Sequence, residues 1–368
     1  MVTRAQTPLP GRPNPRKQSD VQQEDSVQRD PAAASKTSGA PEFQGEAKSK
    51  RRRFKIRWLL LLVLLVALGP YLYFRATSFS RKIQTFELET TAPARQFSGT
   101  LRVATWNIAH GRGAISDNWA AGGDSKQRRL ESISQQIVEL DADLVVLNEV
   151  DFCATWSGGY DQAETIARKT GYPYMIKQAN LDFGFVYGRW FFGNVLLSRF
   201  PISETKVVEF EPVNQWESWL VGNKRGLSCT VELDPEVRVS VIGLHLESRG
   251  ESVRVREVAD VARFGQQLAH PMIIAGDLNT TPRGAPRANV SDDGRNAFDE
   301  FIKATGLSHF PALPASPSEL TFPSLEPATT IDWVLYDEAA FSLNQQRVIE
   351  TELSDHLPVV AEFQIRSK

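Results

Sequence analysis

The chain is predicted to form an α/β (α+β) fold, a mixed sheet layered with helices, and three observations carry that expectation. From Leu101 onward, short apolar runs alternate with amphipathic helical stretches, the pattern of strands and helices taking turns. Several of those runs stop on a polar residue, and the end of a strand in an open α/β sheet is where ligands bind. With 368 residues, 41% of them hydrophobic, the chain has the material for a sizeable core.

The elements follow in order. Residues 1–50 are rich in Pro, Gln, Ser, Ala, Lys and Asp and nearly free of large apolar side chains, so they cannot bury enough surface to fold. With the basic run after them, residues 1–57 are expected to be a disordered, basic cytoplasmic tail. Residues 58–74 (WLLLLVLLVALGPYLYF) carry no charge, and 17 residues is the lower limit for a spanning helix. Trp58, Tyr71 and Tyr73 sit where an aromatic belt belongs. Seven Lys/Arg lie between residues 48 and 57, against Arg75, Arg81 and Lys82 beyond the run. The positive-inside rule then keeps the N-terminus cytoplasmic and sends the rest outward. The long basic N-region and Pro70 argue against a cleaved signal peptide, though that reading also puts the remainder across a membrane.

Residues 75–98 read as a linker, and residues 99–368 as the globular domain. LRVATWNI is a strand, and 126–140 is a helix with Leu130, Ile133, Ile137 and Leu140 on one face. DLVVLNEVD is a buried strand reaching Glu149, 162–170 is a helix stopped by Gly171, and NVLLSRFPI is another strand. LSCTVEL and VRVSVIGLHLE make a hairpin about Asp234-Pro235. Residues 252–269 are helical. PMIIAGDLNTTP is a strand opening at Gly276, with Asp277 and Asn279 on the same side of the exit. A short helix over 296–305 ends at Gly306, and TTIDWVLYD and LPVVAEFQI close the chain as strands.

Charge narrows the function. The net charge of −2 hides a tail near +7 and a body, residues 101–368, with 25 Lys/Arg against 36 Asp/Glu. An acidic body is poor material for nonspecific binding to a phosphate backbone and good material for a metal site built from carboxylates. Cys153 and Cys229 lack metal-type spacing and read as two free thiols, with a disulfide as the alternative outside the cytoplasm.

Polar residues of the kind phosphate chemistry uses recur at strand ends: Asn107, Glu149, His245, Asp277, Asn279, Asp332, Asp355 and His356. Singly, each has an ordinary structural reading, such as a turn, a cap or a core histidine. Their recurrence at one kind of position is what points to a site. The stretches TWNIAHG, LNEVD, GNVLLSRFPI, GLHLESRG, AGDLNTTP, TIDWVLYD and SDHLPVV, in that order, resemble the endonuclease/exonuclease/phosphatase superfamily, metal-dependent phosphoesterases shaped like pancreatic deoxyribonuclease. The resemblance implies a layered sandwich of two mixed sheets flanked by helices. It also implies magnesium, with manganese as an alternative. By motif, Glu149 matches the metal-binding glutamate, and Asn107 and Asp355 match residues that complete the metal's surroundings. Asp277 matches the residue that orients or deprotonates the attacking water, or a second-metal ligand. Asn279 matches a phosphate-positioning amide. His356 would meet the phosphoryl oxygen, oriented by Asp332, and His245 matches a second histidine acting as acid or phosphate ligand.

Asn194 and His110 are candidates to support such a site, and Arg225 and Arg249 to meet a substrate phosphate. Among Trp156, Trp190, Phe191, Phe192, Trp216 and Trp219, a few could form an aromatic shelf for a base or lipid head group. The expected function is therefore a membrane-anchored, magnesium-dependent phosphoesterase acting outside the cytoplasm on a lipid head group, nucleic acid or small phosphodiester. The alternatives are an extracytoplasmic nuclease and a non-catalytic binding module of the same fold. TIDWVLYD lacks the cysteine-containing motif of the superfamily's phosphoinositide phosphatases, which weighs against that branch.

Overall fold

The computed structural model describes residues 43–78, 82–90, 95–115, 117–119, 122–185, 188–312 and 315–366. Contacts divide the chain into two units, Met1–Arg57 and Trp58–Lys368. Most of the expected disordered tail, residues 1–42, lies outside the described residues. Residues 43–57, also assigned to that tail, are instead helical. They belong to α1 (Phe43–Ser78), because Lys, Arg and Ala are good helix formers and carry the helix back from the apolar run. Within it the 28 residues Lys50–Thr77 hold an 18-residue window of mean hydropathy 2.0 with nothing buried, long and apolar enough to cross a membrane.

The expected linker holds more than a linker. It carries the end of α1 and β1 (Ile83–Glu87), an edge strand too short for its alternation to stand out in the sequence. The order then runs β2 (Thr100–Asn107), α2 (Gly123–Leu140), β3 (Leu144–Asp151), α3 (Gln162–Thr170), β4 (Tyr174–Phe185), β5 (Gly188–Ser198), β6 (Ile202–Glu209) and α4 (Gln215–Val221). It continues with β7 (Arg225–Asp234), β8 (Val237–His245), α5 (Glu251–Gly265), β9 (Met272–Asp277), α6 (Ala297–Thr305), β10 (Asp332–Tyr336), β11 (Phe341–Val348) and β12 (Val359–Ile365). NVLLSRFPI, read as one strand, is the end of β5, a turn and the start of β6.

Two mixed sheets result, ordered β1-β4-β5-β3-β2-β12-β11 and β10-β9-β8-β7-β6. Among the described strand pairs, β2 with β3 and β8 with β9 run parallel and the others antiparallel. The near-continuous apolar runs of these strands follow from burial on both faces. Val103, Val146, Val241 and Ile273 fill the space between the sheets. Their neighbours Ala104, Val145 and Leu147 pack under α2 and α3 through Leu130, Ile133, Ile137 and Ile166. On the far side Ile242, Leu244 and Ile274 pack under α5 and α6 through Val255, Val258 and Phe298. Asp161 caps α3 by accepting from the Glu164 N–H, and Gly171 ends it in the left-handed conformation. Both cysteines are free, and Cys229 is part of the core between the sheets.

Candidate active site

Strand register builds the first half of the site. His245 on β8 and Asp332 on β10 both stand directly opposite Asp277 on β9, so three adjacent strands present their polar groups side by side on one face. The His245 Nε2 lies 3.6 Å from the Asp277 Oδ2. The other sheet supplies Asn107, at the end of β2, whose Nδ2 donates to that same Asp277 oxygen at 3.1 Å. Glu149 lies within β3 with φ at +53°, at a register shift against β5, and this bulge turns the carboxylate toward the site.

The loop before β12 brings the last two groups. The Trp106 indole donates to the His356 carbonyl at 3.0 Å and the Ser354 hydroxyl to the Asn107 carbonyl at 2.6 Å, which ties the loop to β2. His356 then places Nδ1 3.0 Å from the Asp332 carboxylate and Nε2 3.9 Å from Asp277. The Asn279 N–H donates to Asp277 at 2.9 Å, and its side-chain amide to the Leu246 carbonyl at 3.1 Å. An amide has two such N–H groups, so one remains for a ligand.

Electrostatics divides these groups. Burial presses the His356 imidazolium down, but Asp332 and Asp277 outweigh it, and the net shift is strongly upward, so the ring keeps its proton at neutral pH. Burial raises the Asp277 carboxyl; His356 opposes this, Asp332 adds to it, and the net shift is upward. Burial would also raise Glu149, yet His110, Arg112 and His356 hold it well below the ordinary carboxylate range. Burial with Lys224 nearby takes His245 well below its ordinary value, leaving it neutral. A neutral ring suits a hydrogen-bonding ligand of a phosphate better than the acid considered from the sequence.

Three residues that sequence reasoning missed hold the site together. Asn148 donates to Asn194 at 2.8 Å and to the Leu244 carbonyl at 2.9 Å, and accepts from the Asp277 N–H at 3.0 Å, so one amide joins both sheets. The signal was present: a polar residue inside the apolar run LVVLNEVD. Asp151 accepts from His110 Nδ1 at 2.8 Å, and the other nitrogen of that ring faces Glu149 at 3.2 Å. His110 is thus a buried support of the site rather than a loop residue. Trp156 and Phe192 pack on His110 with ring centroids at 5.0 and 4.8 Å. Arg112 bridges Glu149 at 3.2 Å and Asp355 at 2.5 Å. Arg225 does not join the site, since it pairs with Glu209, and Arg249 is an exposed partner of Glu247.

Two arrangements could hold a divalent ion. Asp277, Asp332 and His356 have ligand-type atoms within 4.8 Å of one another. There, however, the protonated imidazole has no lone pair to offer a metal, and it offsets one of the two carboxylate charges. Glu149 and Asp355 converge instead on one positive charge, the Arg112 guanidinium. Their hard oxygen donors fit a hard dication such as magnesium.

The sequence profile of the Endonuclease/Exonuclease/phosphatase family matches residues 104–356. The chain belongs to the endonuclease/exonuclease/phosphatase family. Members of this family are typically phosphoester hydrolases and generally depend on divalent metals. A family structure from Beutenbergia cavernae superposes with a TM-score of 0.54 at 22% identity, covering 72% of each chain. The human Nocturnin catalytic domain with bound sulfate gives 0.51 at 16% identity, over 78% of this chain and 98% of that one. The Bacteroides thetaiotaomicron mannosyl-6-phosphatase Bt3783 gives 0.50 at 16%, over 72% and 99%. At these identities the likeness is one of fold. Comparison with curated protein sequences gives no match.

Proposed function

We propose that the chain is a magnesium-dependent phosphoesterase, tethered to a membrane by residues 58–74 of α1, with the domain from residue 99 onward outside the cytoplasm. The observation that carries the chemistry is the opposed row His245, Asp277 and Asp332, faced by Asn107, Glu149 and His356. Bound by Glu149 and Asp355 beside Asn107, magnesium would supply positive charge to the phosphoryl oxygens. Asp277, oriented by the Asn107 amide, would receive the proton of the attacking water. His356, held protonated by Asp332, would donate to a phosphoryl oxygen as negative charge grows there. His245 and the free N–H of Asn279 would bind and position the phosphoryl group.

A phosphoester carried by a lipid head group is the substrate class we favour. The acidic body weighs against nucleic acid, and the tether puts the site beside a bilayer. The test is release of product by the full chain from bis(p-nitrophenyl) phosphate, plasmid DNA and mixed phospholipids, with and without magnesium. Asp277→Ala and His356→Ala should each lower turnover at least about 100-fold with an unchanged circular dichroism spectrum. Near-full activity in either variant would remove that residue from the mechanism, and no magnesium-dependent turnover on any substrate would leave the binding-module reading.

A further inference from the structure

α4 buries none of its side chains. A seven-residue helix with no fully buried residue draws little stability from core packing, and isolated helices of that length are marginal in water. On and just before it, Val213, Trp216, Trp219 and Leu220 are 54%, 75%, 57% and 42% exposed, and the two indoles meet edge to face at 6.3 Å. Single exposed apolar residues need no explanation, but two tryptophans, a leucine and a valine within one short stretch do. Glu217, the only acid in α4, faces Arg249 at 3.7 Å.

The position of this patch says what covers it. The Tyr71 hydroxyl, near the end of the apolar run of α1, donates to the Leu220 carbonyl at 3.1 Å. The Tyr71 ring packs edge-on against Phe183 at 6.1 Å, and the Arg75 guanidinium donates to the Asp182 carbonyl at 3.2 Å. The patch is therefore continuous with the last turns of a helix long and apolar enough to cross a membrane. Tryptophan and tyrosine favour the boundary between lipid and water, and amphipathic elements lie in that layer.

We propose that residues 213–220 form an interfacial foot, with Trp216 and Trp219 seated in the head-group layer of the membrane that holds α1. This rests on the reading of α1 as the anchor. One consequence bears on substrate. A pocket of about 180 Å³ lies between α4 and residues 247–249, lined in part by Ser218, Phe192, Lys224 and Arg249. The Lys224 ammonium donates to the Leu246 carbonyl, which also accepts from Asn279, so the pocket adjoins the site. With α4 as its wall, the pocket opens beside the lipid.

The test uses the full chain in nanodiscs of phosphatidylcholine and phosphatidylglycerol at three to one, with plain or brominated acyl chains. Bromine quenches indoles that lie in lipid. Replacing Trp216 and Trp219 together by Phe should lower the quenched fraction of the emission; a rise in that fraction would mean that both sat in water and would overturn the proposal. Trp58→Phe, in the same discs, should also lower it. Failure of the chain to co-elute with discs, or no loss of quenching in Trp58→Phe, would overturn the anchor itself, and the interfacial foot with it.

Discussion

Arg112 stands between Glu149 and Asp355, and its charge is what allows two carboxylates to converge there. Arg112→Gln should leave them facing each other, with a loss of about 1–3 kcal/mol of stability in EDTA. Millimolar magnesium should then restore the melting temperature more in the variant than in the wild type; calorimetry showing no such difference would argue against a metal at that pair. Glu257 on α5 makes the opposite case. It accepts from the Glu247 N–H at 2.8 Å, but burial pushes its carboxyl from 4.5 up to about 7, against the pull of that bond and of Lys224. The folded chain then holds this proton more tightly than the unfolded one, so stability falls as pH rises from 4.5 to about 7. Glu257→Gln keeps an acceptor and removes the charge. Its melting temperature should match the wild type at pH ~4.5 and exceed it at pH 8, by up to about 3 kcal/mol of stability. Equal shifts at both pH values would refute this. Neither residue was legible in the sequence, because an arginine in HGRGA and a glutamate in a helix carry no local sign of what they meet.

At the scale of elements, the strand exit of β9 was legible from MIIAGDLN, and the structure adds why the glycine is needed. Gly276 has φ at +149°, and a Cβ there would lie 1.9 Å from the Leu244 carbonyl of the parallel neighbour β8. No other residue lets the two strands close enough to set His245 opposite Asp277. Gly276→Ala should lose about 3 kcal/mol or more, seen as a lower denaturant midpoint; a midpoint within error of the wild type would show that the strands can part without penalty. The helices α2 and α3 were equally legible, α2 from its apolar face and α3 from the Gly171 that ends it, signals written within a few residues. α4 was not, because its apolar residues meet no core and keep no helical stripe against one.

At the scale of the whole molecule, the two sheets meet at the site through side chains. Asn148 is the main link, completely buried and bonded to Asn194, the Leu244 carbonyl and the Asp277 N–H. Asn148→Ala should strand the Asp277 N–H and lower stability by about 2–4 kcal/mol, and should lower turnover at temperatures where the chain is still folded. Asp277→Asn keeps those backbone bonds and should lower turnover alone. If Asn148→Ala melts like the wild type, the sheets are held by the apolar core between them and the amide is incidental.

The sequence by itself determined the periodic features of this chain. Strands buried on both faces appear as apolar runs in β3 and β9 and, interrupted by Arg102 and Thr105, in β2, the face of α2 appears in Leu130, Ile133 and Ile137, and the polar groups of the site sit toward the ends of those strands. Such signals survive because each is set by neighbours a few residues away. Tertiary structure decided the rest. It bridged Glu149 and Asp355 with Arg112, set the amide of Asn148 between the sheets, and added β1 to the edge of β4. It also set the Tyr71 hydroxyl against α4. Most of these contacts join residues about 90 to 240 positions apart, as Asn148 with Leu244 and Arg112 with Asp355, and the charge and shape that favour them exist only once the sheets have packed.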